Sequence, residues 1–123
     1  MPYIDGFVAA VPSDKKDEYI AFAKKSWPIF EGLGAIAMWE CWGDEVPDGE
    51  VTSFPMAVQA REDETVLFSW TAWPDKAARD QGWEKMMSDP EIGAAMGDMP
   101  MDGKRMIYGG FTPLLSFGEM RNI

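Results

Sequence analysis

Asp102-Gly103-Lys104-Arg105-Met106-Ile107-Tyr108-Gly109-Gly110-Phe111 is the stretch on which the fold turns. It closes a chain whose earlier segments read strand, helix, strand, strand, helix, and its apolar half, beginning at Met106, supplies the last strand. That strand is expected to run to Phe117, with Gly109-Gly110 as a bulge or Pro113 as a bend. Just upstream, Asp89-Pro90 reads as an N-cap followed by proline at the first position of a short helix, and Asp75 caps a longer one reaching about Met87. Thr65 to Trp73, rich in β-branched and aromatic residues and stopped by Pro74, is a strand.

Ala35 to Gly43 alternates as a second strand, and the acidic, turn-rich 44–50 that follows is a surface loop. Ser53 to Arg61 fits a short helix capped by Ser53 better than an extended segment. Near the start, Tyr3 to Val11 has strand periodicity. Ser13 is an N-cap candidate for an amphipathic helix carrying Tyr19, Phe22, Ala23, Ser26 and Phe30, which ends near Gly32 and Gly34. Pro28 removes a backbone donor, so the last turn is expected to kink or end early.

The βαββαβ order predicts an α+β, ferredoxin-like domain spanning 1–123: a four-stranded antiparallel sheet with helices on one face. Taking the more apolar alternation as the core places Ile4, Val8, Ala37, Trp39, Val66, Phe68, Trp70, Ile107 and Phe111 under the helices. Tyr3, Asp5, Phe7, Met38, Glu40, Trp42, Leu67, Ser69, Thr71, Trp73, Met106 and Tyr108 then fall on the other face, too aromatic for free solvation. A second copy of the chain would cover it, which predicts a homodimer with partly polar cavities between the sheets. The competing expectation is a monomer in which residues 44–64 fold over that face.

A net charge of -10 and a pI near 4.3 repel phosphate backbones and anionic bilayers, so neither nucleic acid nor a membrane surface is an expected partner. Cys41 is the only cysteine and cannot form an internal disulfide. With no signal-peptide pattern at Met1-Pro2-Tyr3, a cytoplasmic protein is expected.

The stretches Asp5-Gly6-Phe7-Val8, Glu40-Cys41-Trp42, Val46-Pro47-Asp48-Gly49, Phe68-Ser69-Trp70, Met86-Met87-Ser88-Asp89-Pro90 and Met99-Pro100 through Phe111 carry a likeness over nearly the whole chain. The sequence resembles the uncharacterised YbaA-like family, a domain of unknown function grouped with the dimeric α/β-barrel superfamily. Met101 stands where the family pattern has phenylalanine, an exchange that keeps apolar volume. The resemblance implies a ferredoxin-like protomer and a dimer, and brings no established catalytic residue with it.

With no histidine, no phosphate loop and no nucleophile motif, the open chemistry is narrow. Asp5, Glu40 and Tyr108 are expected on one face with Ser69 and Thr71 nearby, and a carboxyl beside aromatic surface gains a raised pKa suited to acid or base work. A structural network would place the same residues together. Arg105 is a candidate clamp for an anionic group, or a partner for Asp102 or another acid. Met86, Met87, Met96, Met99, Met101 and Met106 read as pliable packing ahead of a copper(I) site, so no metal and no cofactor is expected. Three functional classes remain open. The first is a dimer binding an apolar or aromatic small molecule on its sheet face through Met38, Trp42, Ser69, Thr71, Trp73 and Tyr108. The second is a cofactor-independent oxygenase, isomerase or lyase using Asp5 or Glu40 as base with Arg105 or Tyr108 stabilising negative charge, and the third is a purely structural or protein-binding dimer.

Overall fold

The computed structural model describes residues 1–118. Strand β1 (Tyr3–Pro12) passes through a 3-10 turn (Ser13–Lys15) into helix α1 (Lys16–Gly32). Strand β2 (Ala37–Trp42), the one-turn helix α2 (Phe54–Ala57), strand β3 (Glu64–Trp73), helices α3 (Lys76–Ser88) and α4 (Pro90–Met96), and strand β4 (Ile107–Phe111) follow. The strands lie in the order β2-β3-β1-β4 with every neighbouring pair antiparallel. This is the ferredoxin-like α+β arrangement that the order of elements predicts.

Local chemistry accounts for most of the boundaries. The Asp75 carboxylate accepts from the Ala78 amide at 2.8 Å, Asp89 accepts from Glu91 at 3.0 Å ahead of Pro90, and the Ser53 hydroxyl accepts from Met56 at 3.1 Å. Each satisfies an amide that a helix start leaves without a partner. Ser13 departs from its expected role. Its hydroxyl meets the Thr65 hydroxyl at 2.7 Å and its amide donates to the Asp63 carbonyl at 2.8 Å, so it ties the entrance of α1 to β3 instead of capping the helix. Pro28 does not end α1, which continues to Gly32 because the turn after it buries Phe30 against Trp73 and Trp83.

Strand β4 is shorter than expected and carries no bulge: it pairs with β1 without interruption from Ile4 opposite Phe111 to Val8 opposite Ile107. Gly110 makes room for a side chain. A Cβ at Gly110 would lie 2.8 Å from the Tyr3 ring, whereas one at Gly109 would make only an ordinary contact with the ring of Phe111 at 3.5 Å.

The assignment of faces reverses. Helices α1, α3 and α4 cover the face bearing Tyr3, Asp5, Phe7, Ala9, Met38, Glu40, Leu67, Ser69, Thr71 and Trp73. Tyr19, Phe22 and Ala23 pack there against Ala9, Val11 and Leu67, while Phe30, Trp83, Met86 and Met96 pack around Trp73. The more apolar set, Ile4, Val8, Trp39, Phe68, Trp70, Ile107 and Phe111, lies on the opposite face. Hydrophobicity alone misleads here because the polar groups of the covered face have specific partners: Trp73 and Trp83 each donate an indole N–H to buried Asp5, and Tyr19 donates to Glu40. Cys41, opposite Phe68, also lies on the open face and not under the helices.

Residues 44–64 cover only one end of the open face. Val58 is buried against Ala10 and Val66, and the ring of Phe54 meets that of Phe68 edge-on at 6.1 Å. Beyond it Trp39 stacks on Trp70 at 5.8 Å, and Phe68, Ile107 and Phe111 stand exposed. Among the described residues no helix is long and apolar enough to cross a membrane.

Candidate functional site

A cavity of about 250 Å³ lies between the covered face of the sheet and the helices. The sheet contributes Phe7, Ala9, Met38, Glu40, Leu67, Ser69 and Thr71 to its wall, and α1 contributes Tyr19, Phe22, Ser26 and Phe30. Trp83, Met86 and Met96 arrive from α3 and α4, and Met99, Met101 and Met106 from the segment joining α4 to β4. Strand periodicity brings the sheet residues to one side, since Phe7, Ser69 and Glu40 are aligned across three neighbouring strands.

Among the described residues, Glu40 is the only carboxyl group in this wall. Its Oε2 accepts from the Tyr19 hydroxyl at 2.7 Å and its Oε1 from the Ser69 hydroxyl at 3.1 Å. Partial withdrawal from water pushes its pKa above the ordinary carboxylate value, while the two hydrogen bonds pull it back down. Because β2 is an edge strand and Glu40 is also exposed, water tempers the rise. Burial first, then the Glu40 charge and the hydrogen bond to it, drive the Tyr19 phenol far above its usual range, so Tyr19 remains a donor. The Ser26 hydroxyl is committed to the Phe22 carbonyl at 2.8 Å.

Three of the residues singled out for ligand contact, Met38, Ser69 and Thr71, line this cavity; Trp42, Trp73 and Tyr108 do not. Trp42 packs beside Leu67 and Tyr19 with the Lys16 ammonium 5.8 Å above its ring. Trp73 is fully buried beneath α3, and Tyr108 stacks on Phe7 at 6.3 Å with most of its surface in water.

Asp5, expected beside Glu40, shares its face but lies outside the cavity wall. Its carboxylate accepts from Trp73 and Trp83 at 2.9 Å each and from Arg79, whose Nη2 lies 2.9 Å from Oδ1 and whose Nε lies 3.2 Å from both oxygens. Such a carboxylate has little acceptor capacity left for a substrate. Arg105 is equally engaged: Nη1 and Nη2 hold Glu64 at 2.7 and 2.6 Å, Nη1 also reaches the Gln59 carbonyl at 2.9 Å, and Nε takes Asp102 at 3.1 Å. The bidentate guanidinium brings the Glu64 carboxyl down to about 2.

Tyr19, Phe22, Phe30 and Trp83 are cavity residues that strand alternation cannot reveal, because they come from the helices. The helical spacing of Tyr19, Phe22, Ser26 and Phe30 was their signal. The methionines had a signal too, since Met86, Met96, Met99, Met101 and Met106 reappear together as one wall.

Residues 2–103 match the model of the family described as "Protein of unknown function (DUF1428)". The chain belongs to that family. It is 54% identical over 115 residues to the "Uncharacterized protein YbaA" of Escherichia coli (strain K12), covering 94% of this chain and 98% of that protein. The proteins of the same description from Escherichia coli O157:H7 and Shigella flexneri match with the same identity and coverage.

Proposed function

We propose that this DUF1428 protein binds an apolar or aromatic small molecule in the cavity between its sheet and helices, and does so as a cytoplasmic homodimer joined through the open sheet faces. The observation that carries the reading is the lining itself: aromatic rings and thioethers around about 250 Å³, with a single carboxylate fixed by Tyr19 and Ser69. Small-molecule sites have this composition, an apolar wall with a few placed polar groups. Methionine-rich walls add pliability, which suits a site whose occupant enters past side chains. The location differs from the one the sequence favoured: the pocket lies inside each protomer, leaving the open face free for assembly.

Saturation-transfer NMR with toluene and indole tests the binding. Wild-type protein should show saturable transfer, and Met101→Trp, which carries an indole into the cavity from an irregular segment, should lose it while keeping the wild-type circular dichroism. Equal transfer in the two proteins would remove the cavity as the binding site.

One observation favours a second reading, a cofactor-independent enzyme. Glu40 combines a cavity position, a raised pKa and a neighbouring phenol, which is what a general acid or base requires. In that reading Glu40 is the base, while Asp5 and Arg105 are structural and Tyr19 takes the donor role first considered for Tyr108. Turnover of any substrate should vanish in Glu40→Gln with binding retained; full turnover in that variant would eliminate this reading.

A further inference from the structure

We infer that the cavity selects a small hydrophobic amine, with the ammonium group held at Glu40 and the apolar body among the rings and thioethers; this rests on the cavity being a ligand site. Features of the wall and of the chain point the same way. Glu40 lines the cavity from edge strand β2 and is in part exposed, so its carboxylate, partly withdrawn from water, lies on the side of the cavity nearest to solvent access along that edge. A ligand can therefore keep a charged head at that carboxylate and bury its body beyond it.

The carboxylate also has acceptor capacity to spare. Tyr19 and Ser69 provide one donor each, while an ionised carboxyl group offers about four lone-pair positions. Neither donor is cationic. Among the described residues no lysine or arginine lines the cavity, and Arg79 and Arg105 are bound elsewhere, to Asp5 and to Glu64. Glu40 thus has hydrogen-bond donors but no counter-ion in the wall, and a ligand ammonium supplies one.

The rest of the wall suits a cation with an apolar body. Phe7, Tyr19, Phe22, Phe30 and Trp83 present aromatic surface, whose faces attract an ammonium group as well as an apolar chain. The net charge of -10 enriches cations near the protein and disfavours carboxylate ligands of the same shape. Size narrows the class further. A cavity of roughly 150 Å³ holds benzene, so the volume of about 250 Å³ here accommodates one ring with a short chain.

Three probes of one shape separate this inference from the reading beneath it: 2-phenylethylamine, 2-phenylethanol and 3-phenylpropanoate, titrated calorimetrically into the full chain at pH 7. The amine should bind at least tenfold tighter than the alcohol, and the acid should bind more weakly than either. Glu40→Gln, checked for native circular dichroism, should bring the amine to the affinity of the alcohol. An alcohol that binds wild-type protein as tightly as the amine, or an acid that binds tighter, would overturn amine selection while leaving the cavity as an apolar site. Failure of all three to bind would overturn both. The wild-type comparison decides the matter even where the variant does not fold.

Discussion

Asp5 and Glu40 show how far two carboxylates on one sheet face can diverge. Sequence alternation places them together, but what reaches each is decided by helices distant in the chain: Arg79 and Trp83 for Asp5, Tyr19 for Glu40. Asp5 is 2% exposed and is the shared acceptor of one guanidinium and two indoles, so Asp5→Ala leaves Arg79 without its inner partner and two N–H groups unsatisfied. Removing one member of a buried ion pair costs about 3–5 kcal/mol, and urea denaturation of Asp5→Ala should show a loss of that order. Glu64 gives a pH signature. Its carboxyl falls from an ordinary 4.5 to about 2 in the folded protein, under the hydrogen bonds from Arg105. A depressed folded-state pKa contributes stability that is complete above the unfolded value and is lost as pH falls toward the folded one. Stability attributable to Glu64 should therefore be full at pH 6 and decline between about 4.5 and about 2, and Glu64→Gln should differ from wild type most at pH 6 and least near pH 2. A constant difference across that range would refute this linkage. Glu40 has the opposite sign: with its pKa raised, folding disfavours its charged form, so Glu40→Gln should be relatively more stable at pH 7 than at pH 4 when each is compared with wild type.

Elements were legible where a few local residues dictate them. Asp75, Asp89 and Ser53 announce helices because a short acceptor side chain satisfies a free amide, and all three do so here. Elements were misread where a distant partner intervenes, as at Ser13, whose hydroxyl goes to Thr65, and at Pro28, where packing of Phe30 carries α1 past the missing hydrogen bond. Glycines show the same limit: Gly109-Gly110 looks like a bulge from sequence, and only the position of Tyr3 shows that Gly110 is clearance within a regular strand. Gly82 in α3 is the sharpest case. A Cβ there would approach the Trp73 ring to 2.7 Å and the Leu33 carbonyl to 3.0 Å, and Trp73 is also packed edge-on with Phe30. Alanine favours a helix interior over glycine by about 1 kcal/mol, whereas overpacking a core costs about 1–3 kcal/mol. Gly82→Ala should therefore destabilise the protein despite the better helix former, which chemical denaturation would register as a lower midpoint at unchanged slope. A raised midpoint would mean that α3 can shift away from Trp73 at little cost.

At the scale of the whole molecule, the two faces of the sheet could be counted from sequence but not told apart. Both are rich in large apolar residues, one because helices cover it and the other because, on the reading proposed above, a second copy does. The reversal strengthens the case for assembly, since the face left open is the more apolar of the two, with Trp39 at 42%, Phe68 at 43%, Ile107 at 44% and Phe111 at 62% exposure. Segment 54–60 shields only the end near Ala10 and Val66, so the competing expectation of a monomer covered by its own loop is met over a small part of the surface. A stable interface buries about 1,200–2,000 Å² in total, or roughly 800 Å² from each copy, an area on the scale of a four-stranded sheet face. Two-fold packing would set the Trp39–Trp70 stack and the Phe68–Ile107–Phe111 group of one protomer against apolar surface of its partner. A carboxylate at Ile107 would then be buried without a cation, in two copies, while in an isolated protomer it would sit in water at an exposed position on an edge strand. Sedimentation velocity should thus give wild-type protein twice the 13.8 kDa chain mass and Ile107→Glu the single-chain mass, with the circular dichroism of the wild-type fold retained. A wild-type monomer would remove the dimer, and a dimeric Ile107→Glu would move the interface away from β4.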